Sequence, residues 1–169
     1  MNKQGARVGV FLKLLGVFSV IGFHSIAQAA AVSLEVSGDH KKLVVTTPGA
    51  CGHVPPKPGC MKASGRNTKI NFSLKNSSCT SGDTWELDHV ALGNSKNSVG
   101  NISDTAAHDF NADKTTGVVT PLGTPTARHL QIRDYNSEEY VIWYTVYATC
   151  GGATISSDPR IENDGSGHR

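Results

Sequence analysis

The chain has 169 residues, with 16 Lys+Arg against 14 Asp+Glu, 38% hydrophobic residues, 18 Gly, 7 Pro and 4 Cys. That length suffices for one domain with a sizeable core, and a formal charge of +2 is too small for a nucleic-acid footprint, so no nucleic-acid partner is expected. Apolar residues recurring in strand-like runs through the middle argue against a disordered tail.

Residues 1–29 carry the three parts of a secretory signal. Lys3, Arg7 and Lys13 form a basic start, residues 14–23 are an uncharged run of ten, and Ala27-Gln28-Ala29 matches the small-x-small cleavage pattern before Ala30. His24 interrupts the run far short of the ~20 apolar residues a membrane helix needs, so no membrane span is expected in the mature chain. Cleavage would leave 140 residues with 13 basic against 14 acidic side chains, a formal −1. The expected organisation is a cleaved signal over 1–29, one domain over 30–162 and a flexible tail over 163–169. The expected compartment is extracytoplasmic, secreted or periplasmic.

In chain order, residues 32–37 alternate apolar and polar, and 42–46 follow the turn-forming Gly38-Asp39, which predicts a hairpin. Residues 47–65 are rich in Pro and Gly and read as a loop clipped by cysteines. Over 69–75, Ile70, Phe72 and Leu74 face one way while Asn71, Ser73 and Lys75 face the other. Over 85–92 the parity of Trp85 and Leu87 changes at Val90 and Leu92, predicting a bulge near Asp88-His89. Residues 93–114 are polar and predict a long surface loop with one helical turn over 104–110. Val118-Val119 is a short strand stopped by Pro121, and 130–133 is another strand. Residues 140–150 form the longest apolar strand, and Gly151-Gly152 turns the chain into 153–156, which Pro159 confines to an edge or ends.

Seven or eight short strands predict an all-β fold, an antiparallel immunoglobulin-like β-sandwich stabilised by disulfides. The separation of Cys79 and Cys150 resembles that of the immunoglobulin inter-sheet bridge. The resemblance is architectural only: Trp85 follows Cys79 by just six residues, and Ala148 stands where the tyrosine corner would be.

Four cysteines in an exported chain predict two disulfides. Of three possible connectivities, Cys51–Cys60 with Cys79–Cys150 is favoured. The first closes a short loop stiffened by three prolines, and the second joins two predicted strands. Structural zinc lacks its C-x2-C spacing, and a blue-copper site lacks its C-terminal His and Met. Asp109, Asn111 and Asp113 begin like a calcium loop, but Lys114 replaces the sixth-position Gly and Thr120 the twelfth-position Glu. No metal site and no cofactor are therefore expected.

The G-x-S-x-G, H-E-x-x-H, G-x-x-x-x-G-K-[ST] and G-x-G-x-x-G motifs are absent, and no catalytic residue is assigned. If Cys150 points inward, strand parity also directs Tyr140, Ile142, Tyr144, Val146 and Ala148 inward. Val141, Trp143, Thr145, Tyr147 and Thr149 then share the other face. Trp143 and Tyr147 stand about 13 Å apart there and are the candidate binding residues.

The leading expectation is an exported non-catalytic β-sandwich that binds an envelope protein, a glycan or a small ligand. One alternative is a small hydrolase using His89 with Asp88 or Glu86, because imidazole titrates near neutral pH. On a regular strand, neighbours Asp88 and His89 point to opposite faces, so only a bulge would bring them together. The other alternative is an inhibitor or structural protein working through its rigid Cys51–Cys60 loop.

Overall fold

Strand alternation packs two sheets face to face in a computed structural model that describes residues 30–49, 51, 57–75, 78–79, 82–96, 98–157 and 160–164. The expected signal over 1–29, the apex of the proline loop at 52–56, and residues 165–169 lie outside the described residues. The first four strands are β1 (Ala30–Val36), β2 (Leu43–Val45), β3 (Met61–Ala63) and β4 (Thr68–Lys75). After β5 (Glu86–Gly93) comes one helix, α1 (Asp104–Phe110). The chain then forms β6 (His129–Asp134), β7 (Glu139–Cys150), β8 (Ala153–Ser157) and β9 (Arg160–Asp164).

One sheet has the order β2-β1-β4-β6, and the other β3-β9-β7-β5 with β8 also on β7. Val32, Leu34, Ile70, Phe72 and Ile132 from the first sheet pack against Leu92, Ile142, Tyr144, Val146 and Ile161 from the second. Phe72 and Tyr144 meet across the core with ring centroids 5.6 Å apart. On β4, Ile70, Phe72 and Leu74 are buried, as the alternation requires.

The sheets are not wholly antiparallel. β1 pairs with β4, and β3 with β9, in parallel, which corrects the antiparallel expectation. Parallel neighbours need long crossovers, so their pairing leaves no turn signal in the local sequence. Two further strands, β3 and β9, have no alternating run in the sequence to mark them. β3 is three residues long within the Pro/Gly-rich region, and β9 follows Pro159 and runs to Asp164, two residues past the boundary placed at 162.

The register of β7 with β8 (Val146↔Ser157) continues unchanged with β9 (Trp143↔Arg160). The second arm of the hairpin thus follows β7 in two pieces. Residues 158 and 159, between them, lie outside the described residues.

The segment expected as a surface loop after Gly93 contributes to the core instead. Ile102, just before the helix cap, and Ala106 and Phe110, on one face of α1, are all buried. Ser103 caps α1 by accepting from the Ala106 N–H at 3.1 Å, and Asn111 ends it in a left-handed conformation. Backbone bonds from Gly100 N to Leu92 O (2.8 Å) and from Val119 N to Val90 O (2.9 Å) tie the segment to the edge of β5. It therefore covers that edge and leaves the outer face of β7 to other elements.

Both favoured disulfides are present, Cys51–Cys60 and Cys79–Cys150. Cys79 lies in the β4–β5 connection and not in a strand, so the long-range bridge ties that connection to the end of β7. No helix among the described residues is long and apolar enough to cross a membrane.

Candidate binding face on the outer side of β7

Parity along β7 holds over its length. Ile142, Tyr144, Val146, Ala148 and Cys150 are buried in the core, and the intervening residues turn to the outer face. There Trp143 and Tyr147 are half-buried, Val141 is exposed and Thr145 is buried. The aromatic pair is therefore neither swallowed by the core nor left as a loose projection.

The predicted bulge lies opposite Tyr147. Leu87 pairs with Ala148 and Val90 with Val146, so Asp88 and His89 together face the single residue Tyr147. The His89 ring stacks on Tyr147 with centroids 4.4 Å apart and planes 16° from parallel. His89 Nδ1 also lies 2.9 Å from Asp88 Oδ2. A regular strand would have separated these neighbours, so the extra residue creates both contacts. The ring stack in turn orients the Tyr147 side chain.

Register supplies the rest of the face. Across β7, Tyr147 opposes Ser156, while Thr149 opposes Thr154 on one side and Glu86 on the other. Directly opposed residues share a face, so three hydroxyls and a carboxylate surround the aromatic end of the strand. Beyond Thr149, a cleft of about 440 Å³ is lined by Asp83, Thr84, Glu86 and Thr149. Glu86 thus belongs to the cleft, and Asp88 is the carboxylate that meets His89.

The other candidates are placed as follows. Asp109 is fully buried; its Oδ2 accepts from Ser137 N at 2.9 Å and from the Tyr140 hydroxyl at 3.0 Å. Asp113 Oδ1 accepts from Thr116 N and its hydroxyl and from Thr115 N, and those bonds, led by the Thr116 N–H, hold its carboxyl below the usual range. Asp104 pairs with Lys114 at 2.7 Å. The acids of the calcium-like segment are therefore engaged within the protein, as in Asx-turns and ion pairs. Among the described residues, no group of three or more His, Cys, Asp and Glu is arranged to hold a metal ion.

His108 and His129 are exposed, while His40 lines a separate cleft beside the Cys79–Cys150 bridge. His53 and His168 lie outside the described residues. The sequence marked Trp143, Tyr147 and His89 but not the hydroxyls of Thr154 and Ser156. Only the register of β8 places these beside the rings.

Known protein families and curated proteins offer no match to this chain.

Proposed function

We propose that this is an exported, non-catalytic β-sandwich protein that binds a glycan across the outer face of β7. The observation that carries the reading is the Tyr147 ring, stacked by bulge residue His89 and sharing its face with Trp143. Flat aromatic rings pack against the C–H faces of sugars. The neighbouring hydroxyls and carboxylates supply donors and acceptors for sugar hydroxyls.

The sandwich is read as immunoglobulin-like on its two facing sheets and long-range bridge, with the parallel pairs as its departure from that pattern. Export and an extracytoplasmic location, secreted or periplasmic, are supported by the three-part signal over 1–29 and by two disulfides.

The test is a binding screen of the disulfide-intact protein against neutral, amino and acidic oligosaccharides, repeated with Trp143→Ala and Tyr147→Ala. Lost sugar binding at unchanged melting temperature is the expected result. Binding to no sugar, or equal loss of binding and thermal stability, would overturn the reading. An envelope protein bound through the same two residues would redirect it to the other expected partner class.

The Asp88–His89 contact favours one second reading, a small hydrolase in which Asp88 orients His89 as general base. The pair is open to water, with side chains 48% and 35% exposed, which weakens the electrostatics that proton transfer relies on. Hydrolysis of ester or glycoside probes that disappears in His89→Ala would favour it over the binding role.

A further inference from the structure

The aromatic face of β7 runs into carboxylates at one end. Glu86 pairs directly with Thr149, which follows Tyr147 on the same face by two residues, about 7 Å along the strand. Glu86 is exposed and makes no ion pair or side-chain hydrogen bond among the described residues. It shares the cleft beyond Thr149 with Asp83, and no Lys, Arg or His among the described residues lines that cleft. Asp88 adds a third carboxylate at the bulge, with Oδ2 on His89 Nδ1 and a side chain 48% exposed. Two basic residues lie nearby. Arg128 follows Ala127, whose carbonyl accepts from Leu87 N, but it makes no ion pair with Glu86 or Asp88. Arg160 pairs with Trp143, at the opposite end of the face.

This inference rests on the glycan reading of the β7 face and narrows it. We propose that the sugar seated on Tyr147 carries a free amine, and that Glu86 is the residue that selects for it. A sugar on that ring directs its rim substituents toward Thr149 and Glu86, one row further along the strand. An ammonium group there has three donors and no acceptor, and a carboxylate is its strongest partner. An acetamide in the same place brings one N–H and no charge. A uronate brings a like charge beside Glu86 and Asp83. The hydroxyls of Thr149, Thr154 and Ser156 accept neutral and charged sugars alike, so discrimination falls to the carboxylates. Trp143 stands about 13 Å from Tyr147 as a second platform, so the ligand is an oligosaccharide and not a single sugar. Because Arg160 adjoins Trp143, the preference for an amine belongs to the sugar at Tyr147.

The test uses the disulfide-intact protein in mildly acidic, low-salt buffer, where the amine is charged. Tetramers of glucosamine, N-acetylglucosamine and galacturonic acid are titrated in turn by calorimetry. The glucosamine tetramer is expected to bind about tenfold more tightly than the N-acetyl form, with the uronate weakest. Glu86→Gln is expected to weaken glucosamine binding about fivefold and to leave the N-acetyl tetramer unchanged, as suits an exposed ion pair. Glu35→Gln, which makes the same change of charge on β1 of the other sheet, is expected to alter neither. Equal binding of the amino and N-acetyl tetramers overturns the proposal. So does an equal effect of Glu35→Gln and Glu86→Gln, or spermidine binding as tightly as the glucosamine tetramer, since each reduces the selectivity to general charge attraction. Binding of the N-acetyl tetramer through Tyr147 with no preference for the amine overturns this inference alone and leaves the glycan reading standing. Binding of no tetramer overturns both.

Discussion

The Tyr144 hydroxyl donates a 2.8 Å hydrogen bond to the carbonyl of Gly59, 85 residues earlier in the chain. Tyr144 is fully buried at the centre of β7, where an unpaired phenol would be costly. Its acceptor is presented by the loop that the Cys51–Cys60 bridge closes, with Gly59 at a φ of 74° that favours glycine. The short disulfide thus serves the core as well as the surface loop.

Tyr144→Phe keeps the ring packed on Phe72 but leaves the Gly59 carbonyl without this donor. A loss of about 1 kcal/mol in chemical denaturation is expected. Combined with Cys51→Ser/Cys60→Ser, the two losses should be less than additive, because both act on the same contact.

Burial pushes the Tyr144 phenol well above its ordinary value of 10.0. The raised value means that the neutral phenol stabilises the fold fully below the unfolded-state value, and that this contribution is lost as pH rises above it. Ultraviolet titration should show one of the four tyrosines resisting ionisation until the protein unfolds in alkali.

The two bridges should differ in their contributions. They join residues 9 and 71 positions apart, and chain entropy alone assigns them about 2.7 and about 4.4 kcal/mol. Removing Cys79–Cys150 should therefore lower the melting temperature more than removing Cys51–Cys60, as read by calorimetry. The Tyr144–Gly59 contact works against that order, so an equal or reversed ranking would show that the short loop supports the core beyond its entropy.

Asp109 joins α1 to the β6–β7 connection. Its carboxylate accepts from Ser137 N and the Tyr140 hydroxyl, and its carbonyl accepts from Tyr135 N at 2.9 Å. Asp109→Ala would remove both side-chain hydrogen bonds and should cost on the order of 2–4 kcal/mol by denaturant unfolding. Asp109→Asn retains one acceptor oxygen and should cost less.

Much of the candidate face could be read from order along the chain. A change of parity between Leu87 and Val90 marked the bulge, and the alternation of β7 placed Trp143 and Tyr147 together. Both follow from the two-residue period of a strand, which is a local property. The cysteine pairing was also legible, through loop length and compartment. The role of residues 93–114 was not, because three buried apolar side chains, Ile102, Ala106 and Phe110, among many polar ones look like a loop until a sheet edge receives them. β3 escaped for the same reason, since a three-residue edge strand exists only through its pairing with β9.

The order of residues in this slightly basic chain of 169 determined, by itself, a signal-like start, a near-neutral remainder, an even set of cysteines and the faces of the strongest strands. Side-chain period and residue chemistry act within a few residues, so sequence order carries them. Tertiary structure alone decided which strands lie parallel, that His89 stacks on Tyr147, that Gly59 satisfies Tyr144, and that Asp83, Glu86 and Thr149 line one cleft. Each of these joins residues whose meeting depends on register or on chain crossing, and neither is encoded in any short stretch of sequence.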